Sequence, residues 1–365
     1  MSAFRQAYLP LSLPGILAGS LLVFVLTLGF FITPTLVGSP RNALVSQLVV
    51  TQVDQLLAFG RAGAMSVILL AITLLLVAVV AFGSRRRLEL ASGHGGGGLG
   101  EDVGWRRPGR VLLAAVAAFG AAWLIVPGLI VVPISFAGEA SLAFPPESLS
   151  TRWYSNFFTN SEWTDATLTT LKVGALTTIV ATTVGTATAF GMVRGRFPGK
   201  AVVNALILSP MIVPLVVTAI AIYSVFLKWH VVGTTLGLVA AHTVLALPFV
   251  VVTVGASLRS FDVRLEDAAA SLGASPWRTL WQVTLPGIRA GVLGGALFAF
   301  ATSFDEVAVS LFLTTADLQT LPVQIFNGIN RQIDPTIAVV SSLILALTVV
   351  GFVIGSAAQR RLSHA

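Results

Sequence analysis

The sequence predicts an all-α, polytopic membrane protein of about eight helices, and three observations predict it. Of the 365 residues, 55% are hydrophobic and only 10% charged. The mean hydropathy of +0.90 is higher than a soluble domain of this length needs. Eight apolar runs are long enough to cross a hydrocarbon core about 30 Å thick, which takes about 20 helical residues. The basic residues behind the net charge of +7 stand in short clusters beside those runs, which is how topology is written in a bilayer, so nucleic-acid binding is set aside.

The runs are residues 14–37, 62–83, 111–134, 166–193, 201–227, 234–258, 288–313 and 336–358. Each carries glycine or proline, such as Pro210 and Pro214 in the fifth and Pro248 in the sixth. Such residues break soluble helices but are tolerated in membrane bundles. The first run is not read as a signal peptide: Pro10, Pro14, its length and the lack of a small-residue cleavage site argue against one. Alternation of eight spans puts both termini on one side. Placing that side in the cytoplasm gathers sixteen of the 22 Lys and Arg there. They are Arg5, Arg85, Arg86, Arg87, Arg106, Arg107, Arg110, Arg194, Arg196, Lys200, Arg259, Arg264, Arg278, Arg289, Arg360 and Arg361. Arg41, Arg61, Arg152, Lys172, Lys228 and Arg331 fall at or near the outer side. The positive-inside bias thus makes both termini cytoplasmic.

Between the spans, residues 84–110 hold Arg85 to Arg87, a GHGGGG run and WRRPGR. The glycines follow no strand and open no helix, so they read as a flexible cytoplasmic linker rather than a phosphate cradle. Residues 135–165 form an outer loop in which Trp153, Tyr154, Phe157, Phe158 and Trp163 read either as an interfacial belt or as a docking surface for an external partner. The outer loop 314–335 is a second candidate surface.

The cytoplasmic loop 259–289 is the longest reach of charge and turn chemistry between two spans. Leu265 to Leu272 is amphipathic at helical spacing and Gly273 ends that run. Ser275-Pro276 supplies an N-cap followed by proline at the first helical position, which predicts a second short helix through Trp281. The result is a helix-turn-helix elbow carrying Arg259, Arg264, Arg278 and Arg289. Its ordinary alternative is an amphipathic loop lying on the inner leaflet.

Chemistry-bearing residues are few. With no cysteine, disulfides, thiolate metal sites and cysteine nucleophiles are excluded. The histidines at 94, 230, 242 and 364 lack metal-ligand spacing, and His242 reads as a hydrogen-bonded core residue. No phosphate-loop lysine motif, metal cluster or nucleophile with a base appears, so the chain is expected to be no enzyme and to hold no cofactor or metal. Asp305 and Glu306 are the acids within a predicted span, where carboxylates are expensive enough to be functional candidates. They are expected to face a translocation path, with a salt bridge or a helix cap as the alternative. Lys172 is either their partner or a snorkelling side chain.

SLPGILAG at 12–19 recurs as TLPGIRAG at 284–291, each copy opening a span, an outer loop and one more span. The expected organisation is therefore a two-span remnant of a first unit at 1–84, a linker at 85–110 and a complete six-span unit at 111–365. On that expectation the chain starts late in its first unit. Duplicated membrane units usually pack about a pseudo-symmetry axis with the path between them.

The elbow resembles the hallmark loop of the inner-membrane permeases of binding-protein-dependent ABC importers. That loop reads Glu-Ala-Ala, three residues, Gly, nine residues, then Ile-x-Leu-Pro. Here it stands as Asp267-Ala268-Ala269, Gly273 and Val283-Thr284-Leu285-Pro286, with Glu266 alongside. Two positions depart conservatively. The first unit keeps only a tail, Ala7-Tyr8-Leu9-Pro10 or, in another register, Leu13-Pro14. SFDEVAVSLFL at 303–313, the run at 320–343 and FITPTLVG at 31–38 resemble permease subunits of the spermidine/putrescine type.

The resemblance implies a type I ABC importer permease fold in a bacterial inner membrane, a fused pair of permease subunits truncated at the front, and a small solute such as a polyamine. It also implies a cytoplasmic ATPase dimer, an extracytoplasmic solute-binding protein and room for a second permease subunit. The coupling loop would be Glu266, Asp267, Ala268, Ala269, Gly273, Leu285 and Pro286, seated in a groove of the ATPase. Asp305 and Glu306 would attract the cation. Two other readings stay open at this level: an ion-coupled secondary transporter using the same two acids, and an inactive fragment of a permease.

Overall fold

The computed structural model describes residues 27–54, 56, 58–91, 107–331 and 334–362, with a few single residues between 12 and 24. Expectations on Ala7 to Pro10, on Leu13-Pro14 and on the glycine linker at 92–106 lie outside the described residues. So do those on the side chains of Arg5, Arg85, Arg86, Arg87, Arg106, Arg107, Arg110, Arg360 and Arg361.

Among the described residues every regular element is helical, the one open-ended solution for backbone polar groups in lipid. In chain order they are α1 (Ile32–Val37), α2 (Val45–Asp54), α3 (Phe59–Ala91), α4 (Arg107–Ser135), α5 (Arg152–Thr159), α6 (Ser161–Arg194), α7 (Lys200–Ile212), α8 (Leu215–Lys228) and α9 (Thr235–Ser260). There follow α10 (Arg264–Ser271), α11 (Pro276–Gly287), α12 (Arg289–Phe304), α13 (Ala308–Leu313), α14 (Leu321–Arg331) and α15 (Thr336–Leu362). Four of these hold single apolar segments long enough to cross a membrane, at Phe59–Val79, Ala114–Ser135, Ser161–Arg194 and Thr235–Ser260. Two bent helix pairs, α7 with α8 at 110° and α11 with α12 at 72°, are each a broken span or a re-entrant turn.

These bends refine the expectation of about eight glycine- and proline-bearing spans. The run 201–227 divides at Val213-Pro214, where proline withdraws a backbone donor and clashes with the preceding turn. The run 288–313 stops as a helix at Phe304 and restarts as α13. Eight residues of the first run, 14–37, lie outside the described residues; the rest include helical residues at 16, 19, 20, 23, 24, 27 and 28 as well as α1. The last run is the apolar part of α15.

The described residues pack as two compact units, one of residues 1–93 and 166–323 and the other of 94–165 and 324–365. In the first, α9 is the spine. Its N-cap Thr234 accepts from the Gly237 amide at 3.0 Å. Its buried face joins two clusters, one around Val173, Phe226, Leu238, Leu245 and Val309 and the other around Ala181, Val250, Val254, Ile288 and Ala299. Lipid tails are as apolar as leucine, so helix association here rests on close packing of small side chains. Gly291 on α12 is such a contact: a Cβ there would meet Ser257 Cβ at 2.6 Å and the Thr253 carbonyl oxygen at 3.1 Å. In the second unit α15 packs on α4 and α5, Asn156 Nδ2 donates to Thr336 Oγ1 at 2.9 Å, and Ser135 and Tyr154 share a 2.9 Å hydrogen bond.

Candidate functional site

The elbow begins where α9 ends. Asp262 Oδ1 accepts the Arg264 amide at 3.0 Å and turns the chain into α10. Consecutive residues on a helix point about 100° apart, and the two acids of α10 take different directions. Glu266 faces inward: both Arg194 guanidinium nitrogens donate to its carboxylate, at 2.5 and 3.0 Å, and Thr284 Oγ1 donates to it at 2.6 Å. One carboxylate therefore ties together the last residue of α6, the elbow helix and the middle of α11. The Arg194 hydrogen bonds, helped by that from Thr284, hold the Glu266 carboxyl below the usual glutamate value of 4.5. Asp267, one residue on, is exposed, as are Ala268 and Ala270.

Gly273 closes α10 at φ +84°, the left-handed conformation in which a Cβ is costly and glycine is the usual helix stop. The amides of Gly273 and Ala274 return to the Ala270 and Ala269 carbonyls at 2.9 and 3.0 Å. Ser275 then caps α11, its Oγ accepting from the Arg278 amide at 3.3 Å, with Pro276 at the first helical position. The second helix was expected to end at Trp281; it runs on through a π-helical turn, Leu280–Thr284, to Gly287. The wider turn brings Thr284 inward to the Glu266 carboxylate. Pro286 is exposed and Leu285 half-buried. The outer surface of the elbow carries Leu272, Trp277 and Trp281, at 89%, 68% and 57% exposure, the two indoles meeting edge to face at 5.8 Å. An exposed apolar knob beside an unpaired carboxylate is the chemistry of a protein contact.

Inside the membrane region, the two expected path acids also part. Glu306 is buried and serves as a helix cap: its carboxylate accepts from the Val309 amide at 2.6 Å, the Ser310 amide at 2.8 Å and Ser310 Oγ at 2.8 Å. His242 of α9 lies 3.6 Å from it. Asp305 is exposed at the end of α12. Neither acid forms an ion pair with Lys172 among the described residues. The role of His242 was legible only as a core residue, because its partners Ser303 and Ser310 lie about sixty residues away in sequence. Of the outer aromatics, Phe157 and Trp163 are buried in the protein and Phe158 is exposed, so they do not form one continuous belt or docking face. Arg152 lies 4.2 Å over the Trp153 ring.

Bent apolar helices, a helix break capped by a buried carboxylate and an exposed elbow define a polytopic membrane protein. A family model described as "binding-protein-dependent transport system inner membrane component" matches residues 181–364, just over half the chain, and the chain belongs to that family. The spermidine/putrescine transport system permease protein PotC of Escherichia coli (strain K12) is 31% identical over 245 residues, covering 66% of this chain and 91% of that protein. The putrescine transport system permease protein PotI of the same strain is 30% identical over 256 residues, 68% of this chain and 90% of that one. The molybdenum transport system permease protein ModB of Mycobacterium bovis (strain ATCC BAA-935 / AF2122/97) is 28% identical, covering 65% and 94%. A crystal structure of a bacterial ABC transporter involved in the import of the acidic polysaccharide alginate matches with a TM-score of 0.54 at 13% identity, over 69% of this chain and 98% of that one. That likeness is one of fold. The chain is thus a non-enzymatic membrane component of an importer.

Proposed function

We propose that the chain forms the transmembrane path for a polyamine, spermidine or putrescine, in an importer driven by ATP hydrolysis on a separate cytoplasmic ATPase dimer. An extracytoplasmic binding protein delivers the solute, and the termini are cytoplasmic. The observation that carries the coupling half is the divided acid pair. Glu266 is consumed inside the fold, while Asp267, Ala268 and Ala270 are exposed small residues on the same elbow as the exposed Trp277 and Trp281, left uncovered by the described residues. Glu266, Gly273, Leu285 and Pro286 keep that elbow rigid; Asp267, Ala268 and Ala269 seat it in the ATPase groove, where the carboxylate takes hydrogen bonds or an arginine.

The polyamine half is supported by the names of the relatives at 30–31% identity and by Asp305, an exposed carboxylate in a membrane region, where charge marks a solute path. Glu306 acts one step behind it, as the cap of the break. The division into a two-span remnant, a linker and a six-span unit belongs to the same reading. Its test is uptake in cells carrying the complete importer. Asp267→Ala is expected to abolish ATP-dependent uptake and ATPase co-purification, and Asp305→Asn to reduce uptake of putrescine. Full uptake in both variants would overturn the proposal.

A further inference from the structure

The break between α12 and α13 has a lock that the transport reading does not use. A helix restarting inside a membrane leaves its first amides without partners, and Glu306 fills two of them. Among the described residues Glu306 is the one fully buried carboxylate, with the rest of Asp and Glu partly or fully exposed. A carboxylate so placed must be hydrogen-bonded on all sides.

Proton bookkeeping sets the direction of each bond. Ser310 Oγ donates to Glu306 Oε2 at 2.8 Å, so its oxygen receives the Nε2–H of His242 at 3.0 Å. In the neutral ring Nδ1 then accepts from Ser303 Oγ at 2.7 Å. One imidazole on α9 thereby grips the last turn of α12 through Ser303 and the first turn of α13 through Ser310. Asp305 lies between the two grips, and its carboxylate has no hydrogen-bonding or ionic partner among the described residues.

We propose that His242 is a positioning residue: by pinning both sides of the break it commits Glu306 to the cap and leaves Asp305 as the carboxylate presented to a cationic solute. The inference rests on the reading of Asp305 as part of the path. Without the imidazole, Glu306 and Asp305 compete for the same amides and the break loses its fixed register.

Because this chain has no cysteine, Asp305→Cys gives it a single reporter thiol, read in the assembled importer by the label carried on this chain. Its reaction with a membrane-impermeant, positively charged thiosulfonate reagent is measured with His242 intact, with His242→Leu and with His242→Gln. Labelling is expected with His242 present, to fall roughly tenfold in the leucine variant, and to recover with glutamine, which can still donate to Ser310. Ser303→Ala and Ser310→Ala, smaller changes, are expected to slow labelling in the same sense, and they carry the test if the leucine variant fails to accumulate. Equal labelling rates across all these backgrounds overturn the positioning role and leave the path reading standing. No labelling in any background overturns the path reading, and this inference with it.

Discussion

Glu266 and Asp267 differ by one position and one methylene, and their environments divide their work. Sequence spacing pointed to both, because the loop pattern singles out Asp267 and its neighbour. What spacing could not supply was Arg194, 72 residues away, legible only as one more positive charge on the cytoplasmic side. The pair is partly exposed, so its worth to stability is small, about 0.2–1 kcal/mol, and on the proposed coupling role its larger effect is expected on transport. Arg194→Glu and Glu266→Arg are each expected to uncouple ATP hydrolysis from uptake by about tenfold or more, and the double exchange to restore most of it, since the exchange keeps the attraction. Uptake assays on the four proteins check this. Because the Glu266 pKa is lowered by folding, its contribution is present above the ordinary value of 4.5 and is lost as pH falls through the folded value. Thermal unfolding of the purified protein and of Glu266→Gln is therefore expected to differ slightly near neutral pH and to converge in acid.

At the scale of elements, the elbow was the most legible part of the fold, since each of its stops has a local cause. Gly273 and Ser275-Pro276 do what their types dictate. The extension of α11 past Trp281 was not legible, because the 2.6 Å bond from Thr284 of its π turn to Glu266 spans eighteen residues of sequence. The same holds for the break at Asp305. No proline or glycine marks it, and in the sequence its cap, Glu306, was open to two readings, a path acid or a helix cap. Gly273→Ala places a Cβ in open space but in a left-handed backbone. It is expected to cost about 1–2 kcal/mol and to weaken coupling with little loss of folded protein. Gly291→Val meets backbone on α9 and is expected to be worse, about 3 kcal/mol or more, with loss of folded protein in detergent. Thermal unfolding and size-exclusion yield separate the two.

For the whole molecule, hydropathy and charge were enough for an all-α membrane bundle, and the family match agrees. The number of straight spans was harder to read, since a run of apolar residues has the same composition whether its helix is continuous or bent by 110°. Interior and lipid-facing helices are also alike in composition, which is why Phe157 and Trp163 looked like a belt and are buried. Orientation is open to a direct check in the cysteine-free chain. A single cysteine replacing Trp277 is expected to react with an impermeant thiol reagent only from the cytoplasmic face, and one replacing Ser141 only from the outer face.

On the proposed function this chain carries a polyamine through the membrane under the drive of an ATPase seated on the elbow. Uptake of radiolabelled putrescine into proteoliposomes tests it most directly, with the chain reconstituted alongside the permease, ATPase and binding-protein components of its importer. Uptake is expected to require internal ATP and to be abolished by Asp267→Ala. Uptake driven by an ion gradient without ATP, unaffected by that substitution, would contradict the proposed function.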